Sequence, residues 1–309
     1  MRLIIDTDAG VDDSQAIMMA LTQPGVSVEA ITTLTGNTHV NWVTRNVSAT
    51  LDVMQADVPI YRGAERPLIP GYWEPVDLMG NDGLGNYQNR PQQDRPLEAE
   101  HAVKALIRLV NESPGEYTIV ALGPMTNLAL ACHLDPDFPQ KVGQLVFMGG
   151  TIAAMGNTRN LTAEYNMYVD PEAALVVLDR FPASSMVSWE TTVQHGFSWA
   201  DYDALAALET PAGRFFRETG QTTADFLRGL NRDGIGYLLP DPLAMAITLD
   251  PALIRASDHR YVTMEVQGAQ TRGQTIIDHL GTTGKTPNVH IITQIDTGGV
   301  YRLFERMLS

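Results

Sequence analysis

The sequence predicts an α/β fold: an open, mostly parallel, Rossmann-like sheet flanked by helices, with a helical capping insertion. Three observations lead there. Short β-branched apolar runs alternate with amphipathic helical stretches, the pattern of parallel strands joined by crossover helices. The chain has 309 residues, 44% of them hydrophobic and 18% charged, enough to bury a large core. Finally, the residues that follow the strands are Asp, Asn and Gly, and open α/β sheets bind ligands at the carboxyl ends of their strands. Residues 1–309 read as a single domain without internal repeats or low-complexity tracts, and about 199–239 as the insertion.

The first strand is the apolar run 3–6, and residues 14–21 follow it as a helix. Strands over 28–34, 118–122 and 144–148, with helices over 41–54, 98–111, 125–132 and 171–179, continue the alternation. The segment 62–95 is rich in Pro, Gly and Asn and lacks periodicity, which predicts a long loop near the ligand site. Residues 199–239 carry helical pieces in an irregular region and are placed over the pocket.

Four aspartates, Asp6, Asp8, Asp12 and Asp13, fall within eight residues where the first strand ends. Carboxylates crowded at the end of a buried run repel one another and resist desolvation, so a cation or a polyhydroxylated ligand must satisfy them. An N-cap and the helix dipole account for one or two of the four. A hard divalent metal with a preference for oxygen is the natural partner for the group. Asp8 is expected at the strand's end and Asp12 and Asp13 on the next turn, with Gly10 allowing the bend.

The other strand ends point to the same rim. The second runs into Thr35-Gly36-Asn37, the third into Leu122-Gly123-Pro124-Met125-Thr126-Asn127, and the fourth into Met148-Gly149-Gly150. Alone, Asn37 reads as a turn residue; the convergence of four strand ends makes it a ligand contact. Glu164 and Asn166 lie two apart and, in an extended segment, face one side, which suits hydroxyl binding. Asp170 reads as the N-cap of a helix opened by Pro171. Asp241 precedes a helix and is either cap or ligand.

Composition excludes several roles. With 21 basic against 36 acidic residues the net charge is −15, which repels nucleic acid and anionic membranes. Cys132 is the only cysteine, so there is neither an intrachain disulfide nor a thiolate metal site. No apolar run reaches membrane-spanning length, and a soluble, cytoplasmic protein is expected. The seven histidines are scattered without metal-site spacing.

Taken in order, these segments resemble the inosine-uridine-preferring nucleoside hydrolase family over essentially the whole chain. The run Asp6-Thr7-Asp8-Ala9-Gly10-Val11-Asp12-Asp13 is similar to the family's DxDPGxDD signature, with Ala9 where proline is usual. Gly36-Asn37, the strand-end motifs above, Ala163-Glu164-Tyr165-Asn166, Asp241-Pro242 and the C-terminal Thr271-Arg272-Gly273-Gln274-Thr275 follow in the family's order. The resemblance implies calcium-dependent hydrolysis of the N-glycosidic bond of ribonucleosides by a homodimer or homotetramer. Carried over by position, Ca2+ would be held by Asp8, Asp13, the Leu122 carbonyl and Asp241, with Asp8 as general base. Asp12, Asn37, Glu164 and Asn166 would grip the ribose hydroxyls, and Met148 would pack beneath the sugar. The oxocarbenium-like transition state of such a cleavage is stabilised by nearby carboxylates.

Departures from the family pattern concern the leaving base. Pro240 stands where many members carry a histidine that protonates it, and Met79 aligns with a second histidine of some members. Tyr237, Asp233, Arg232 and Asn81 are the alternatives, of which Tyr237 is preferred. The spacing from Asn157 to Glu164 is one residue longer than usual, so either Asn157 or Asn160 meets the 5′-hydroxyl, with Asn157 favoured by its Gly-Asn pair. Trp189-Glu190-Thr191-Thr192 replaces a common Leu-Asp-Val-Thr. Two other functions compete: a ribose- or nucleoside-binding protein that has lost the acid, and a phosphotransferase of the haloacid dehalogenase type, suggested by Asp6-Thr7-Asp8. The second needs a lysine and later acidic motifs, whereas the strand ends offer asparagines and glycines.

Overall fold

Apolar runs and helical stretches alternate in space as they do in sequence, giving one large sheet with helices on both faces. The computed structural model describes the 309-residue chain except at Gly71, Tyr72, Glu74, Val76, Gln92, Asn231, Arg232, Asp233 and Ile235. β1 (Arg2–Thr7), α1 (Val11–Leu21), β2 (Ser27–Thr33), α2 (Val40–Val53) and β3 (Ile60–Arg62) come first. After a 3-10 turn at Asp77–Met79 follow α3 (Ala102–Glu112), β4 (Tyr117–Ala121), α4 (Thr126–Leu134), α5 (Phe138–Lys141) and β5 (Gln144–Met148). Then come α6 (Tyr165–Val169), α7 (Pro171–Arg180), β6 (Ser184–Val187), α8 (Trp189–Gln194), α9 (Trp199–Ala206), α10 (Pro211–Gly229) and α11 (Pro240–Leu249). The chain closes with β7 (Ile254–Arg260), β8 (Val262–Met264), β9 (Thr275–Ile277), β10 (Val289–Ile295) and α12 (Thr297–Leu308).

The main sheet has eight strands in the order β3-β2-β1-β4-β5-β6-β10-β7, parallel except for β7, which runs antiparallel to β10. β1 has β2 on one side and β4 on the other, so the winding reverses there. A crevice opens at such a switch point, beyond the carboxyl ends of the strands.

Alternation across the pleat divides the core in two. Leu3, Ile5, Val120 and Leu122 join residues of α1, α2, α11 and α12 on one face. Ile4, Ile119 and Ala121 join residues of α3, α4 and α7 on the other. Each fully buried aliphatic side chain contributes about 1.5–3 kcal/mol, so the strands beneath the crevice are held firmly from both sides.

The strands at 3–6, 28–34, 118–122 and 144–148 form as expected, with β2 one residue short of Leu34 and β4 one residue short of Leu122. β3 and β6 to β10 were not anticipated. β3, β6, β8 and β9 are only three or four residues long, and β7 is a polar edge strand whose exposed positions carry Arg255, Asp258 and His259. These are too short or too polar for a period to show, whereas β10, with Val289, Ile291, Ile292 and Ile295 buried, does carry an apolar pattern and was missed. Within 62–95 the described residues hold the end of β3 and one 3-10 turn. The region 199–239 contains α9 and α10, and α10 buries Phe215, Phe216, Thr219 and Leu227 along one side.

Candidate active site

β1 delivers Asp8 into a space that only glycine neighbours leave open. A Cβ on Gly36 would lie 2.0 Å from Asp8 Oδ2, and one on Gly123 would lie 2.9 Å from Asp8 Cγ. The turns after β2 and β4 therefore close on the Asp8 carboxylate. Asn37 holds it from the same turn: its backbone N–H donates to Oδ2 at 2.7 Å, and its Nδ2 donates to Oδ1 at 3.1 Å. Asn37 Nδ2 also reaches Asp13 Oδ2 at 3.2 Å, so one amide bridges both carboxylates.

Asp12 and Asp13 lie in the first turn of α1 rather than on the turn before it, a correction to the expected boundary. The helix begins early because Gly10 serves as N-cap and Asp13 Oδ2 accepts its N–H at 2.8 Å, satisfying an end donor that otherwise lacks a partner. Thr7 Oγ1 donates to the other Asp13 oxygen. Asp241 arrives from the last quarter of the chain in the first turn of α11, which packs on α1. Its cap reading does not hold, because the N-cap of α11 is Leu239 and makes no side-chain cap bond. Oxygens of Asp12, Asp13 and Asp241 all lie within 4.8 Å of one another.

Asp8 stands beside this trio rather than within it, linked to Asp13 through Asn37 Nδ2, and Asp6 is turned away altogether. Asp6 stays on the Ile4 face of β1, where Thr32 Oγ1 and Asn127 Nδ2 donate to its Oδ1 at 2.6 and 2.8 Å, while the chain bends after Thr7 and carries Asp8 away from that face.

The electrostatics of this floor oppose ionised carboxylates and so suit a cation. Burial, then the charge of Asp13, pushes Asp12 up to about 8. Burial followed by neighbouring carboxylates raises Asp8 and Asp241 well above the usual range, and burial raises Asp13 too. None of the main influences on the four is a basic side chain. Asp12 Oδ1 is buried with no hydrogen-bond partner, an acceptor that waits for a ligand. The donor set is entirely oxygen, which fits a hard divalent ion such as calcium. Leu122 lines the same space, and its carbonyl accepts from Asn166 Nδ2 at 2.8 Å.

Above the floor is a cavity of about 580 Å³. Asp12, Asn37, Leu122 and Asp241 face it from below, and Met148, Asn157, Glu164 and Asn166 from one wall. Glu164 and Asn166 come together, but not through the extended segment expected from their spacing. Glu164 is the N-cap of α6 and Asn166 lies in its first turn, since the carboxylate accepts from Asn166 N–H at 2.8 Å and Met167 N–H at 3.2 Å. Gly150 N–H adds a third bond at 3.0 Å, and burial nonetheless pushes Glu164 up to about 7. Asn160 is committed to its own loop, accepting from Thr158 Oγ1 and Ala163 N–H and donating to the Arg272 carbonyl, whereas Asn157 lines the cavity.

Away from the carboxylates the lining turns apolar, with Leu78, Met79, Trp189, Val193, Phe226 and Leu230. Tyr237 also lines the cavity; its ring stacks on Tyr202 at 4.3 Å and its hydroxyl accepts from Gln15 Nε2 at 2.8 Å. Burial raises the phenol pKa above its ordinary value of 10, which leaves it protonated and makes it a weaker acid than a free tyrosine. Asn81 lines a separate groove with Trp42 and Arg90, away from the cavity. Arg232 and Asp233 lie outside the described residues. Sequence reasoning missed Gln15 and the α10 residues Thr223, Phe226 and Leu227. Only the amphipathic period of α10 marked them, and it cannot tell a cavity wall from a core. His195 is occupied by backbone, with Nδ1 at the Thr191 carbonyl and Nε2 accepting from Ile295 N–H.

An acidic, oxygen-lined floor below an apolar cleft, set at the switch point of a parallel sheet, defines an α/β enzyme for a small ligand with one polyhydroxylated and one apolar end. Comparison with known proteins narrows the class. The family description "Inosine-uridine preferring nucleoside hydrolase" matches residues 3–302, and the chain belongs to that family of ribonucleoside hydrolases. It is 30% identical over 310 residues to the pyrimidine-specific ribonucleoside hydrolase RihA of Enterobacter sp. (strain 638), covering 100% of this chain and 98% of the relative. Among solved structures, an inosine-guanosine nucleoside hydrolase superposes with a TM-score of 0.92 at 35% identity, covering 99% of this chain and 98% of the other. A purine-preferring ribonucleoside hydrolase from Gardnerella vaginalis does so with a TM-score of 0.90 at 27% identity, covering 100% and 98%.

Proposed function

We propose that the protein hydrolyses the N-glycosidic bond of ribonucleosides to free base and ribose with the help of a calcium ion. One observation carries this reading: Asp12 and Asp13 from the start of the chain and Asp241 from its last quarter bring oxygens within 4.8 Å of one another beside a cavity lined by Glu164 and Asn166. Asp8, Asp13, Asp241 and the Leu122 carbonyl would hold the ion. Bound there, calcium lowers the pKa of a coordinated water and orients the sugar diol.

The chain's own groups supply the rest. Asp8 takes the proton of the attacking water at a carboxylate oxygen, and the two Asn37 donors keep that carboxylate aimed. Asp12, Glu164, Asn166 and Asn37 bind ribose hydroxyls, with Met148 under the ring and Asn157 toward the 5′-hydroxyl. Positive charge developing on the sugar lies among these carboxylates, which stabilise it. Pro240 has no proton to give, and the hydroxyl of Tyr237, which lines the cavity and is protonated at neutral pH like any phenol, is the candidate donor to the departing base.

Ribose release from a panel of purine and pyrimidine nucleosides tests the proposal, with calcium chelation, calcium add-back and Asp8→Ala as controls. Turnover that chelation and Asp8→Ala abolish is expected; tight nucleoside binding without base release would select the binding-protein alternative. The proposal includes a cytoplasmic homodimer or homotetramer, to be checked by sedimentation. Among the described residues no helix is long and apolar enough to cross a membrane, and the net charge of −15 disfavours nucleic-acid partners.

A further inference from the structure

Glu190 has no part in the reaction above, yet it is only 5% exposed and its hydrogen bonds all run to one stretch of backbone. Its Oε2 accepts from Ile152 N–H at 2.8 Å, and its Oε1 accepts from Ala153 N–H at 2.8 Å and Met155 N–H at 3.3 Å. The carboxylate sits in the first turn of α8, next to Trp189 of the cavity wall, and the amides belong to the loop between β5 and α6. Ala154, between the tethered amides, has φ of 57°, a left-handed conformation that a side-chain-bearing residue keeps only when its surroundings impose it.

Directly after this tether, Met155, Gly156 and Asn157 line the cavity. The far side of the loop is fastened separately, by Asn157 N–H to the Ala163 carbonyl at 3.1 Å and by Asn160 Nδ2 to the Arg272 carbonyl at 2.7 Å. Asn157 is therefore suspended between two anchors, one of which is Glu190. Two departures noted in the sequence, the glutamate at 190 and the long 157–164 spacing, thus meet in one loop.

We propose that Glu190 is a positioning residue that sets Asn157 against the sugar and so favours ribonucleosides bearing a 5′-hydroxyl. The inference rests on the ribonucleoside reading of the cavity. An aspartate would stop about 1.5 Å short of the amides, one carbon–carbon bond. A glutamine keeps the reach but presents an NH2 group to donors, which cannot accept.

Steady-state hydrolysis of one nucleoside and its 5′-deoxy analogue is compared for wild type, Glu190→Asp, Glu190→Gln, Asn157→Ala and the Glu190→Asp/Asn157→Ala pair. Both Glu190 variants are expected to raise KM for the parent nucleoside about tenfold while kcat changes less than about threefold, the mark of lost uniform binding. The 5′-deoxy analogue is expected to distinguish none of the forms, and the double variant to be no worse than Asn157→Ala. Unchanged KM in folded Glu190 variants, or full additivity with Asn157→Ala, overturns the proposal. Hydrogen exchange at the 152, 153 and 155 amides reads the tether without turnover: faster exchange in both variants is expected, and unaltered protection overturns it. If wild type releases no base from any nucleoside, the functional reading fails, and with it the role given to Asn157, while the exchange result still decides the tether.

Discussion

Removing the cation should expose the self-repulsion of the acidic floor as a loss of stability with rising pH. Asp12 is held at about 8 in the fold against an ordinary 3.8. A carboxyl whose folded pKa is raised favours the fold while protonated, so its contribution is intact below about pH 4 and is lost progressively up to about pH 8. At about 1.4 kcal/mol per pH unit, Asp12 alone costs the metal-free protein on the order of 4 kcal/mol by pH 7. For a chain of this size, with an unfolding entropy of about 0.65 kcal/mol/K, that is a fall in Tm of about 6 °C. Asp8, Asp13 and Asp241 are shifted in the same direction and deepen the loss. Calcium binds the ionised carboxylates, so its stabilising effect should be small near pH 5 and large near pH 8. Scanning calorimetry between pH 5 and 8, in chelator and in calcium, measures both. Asp12→Asn should flatten the metal-free profile. A metal-free Tm that stays level or rises over this range, or a calcium-induced shift that is the same at both ends, would refute the reasoning.

Gly36→Ala places a methyl group 2.0 Å from Asp8 Oδ2, so hydrolysis should fall at least about a hundredfold, as misplaced catalytic groups do, with the far-ultraviolet dichroism unchanged. Retained activity would show that the turn yields and that Asp8 is not held there. Tyr237→Phe should lower kcat by about a hundredfold or more if the phenol protonates the base, and should add about 1–3 kcal/mol of destabilisation from the unpaired Gln15 amide. An unaltered kcat removes Tyr237 from the mechanism. Glu164, near 7 in the free enzyme, should give kcat/KM a limb that rises through about pH 7 as the carboxyl ionises, and Glu164→Gln should abolish that limb. Persistence of the limb in the variant assigns it to another group.

Much of the crevice was legible because each contributing segment announces itself locally. A strand that ends in Asp8, and strand ends at Asn37, Leu122 and Met148, are readable from apolar period and turn chemistry, and parallel strands carry such ends to one rim. The alternation of β1 even implies that Asp6 and Asp8 share a face, whereas the chain bends after Thr7 and only Asp8 enters the floor. That bend depends on the left-handed Ala9, with φ of 35°, and on Asn46 Nδ2 gripping the Ala9 carbonyl at 2.8 Å, contacts no local pattern encodes.

By itself, then, the sequence determined the strand–helix alternation, the acidic cluster and the need of that cluster for a partner, because periodicity, desolvation and like-charge repulsion act within short segments. Only the tertiary structure decided which carboxylates meet. Asp241 reaches Asp12 and Asp13 because α11 packs on α1, and the capping or ligating role of a helix-start aspartate is settled by that packing. The same holds for the apolar end: Phe226 and Leu230, still partly open to solvent, line the cavity because α10 packs on α1 and on the 3-10 turn at Asp77–Met79, long-range contacts whose reward comes only once the chain has closed on itself.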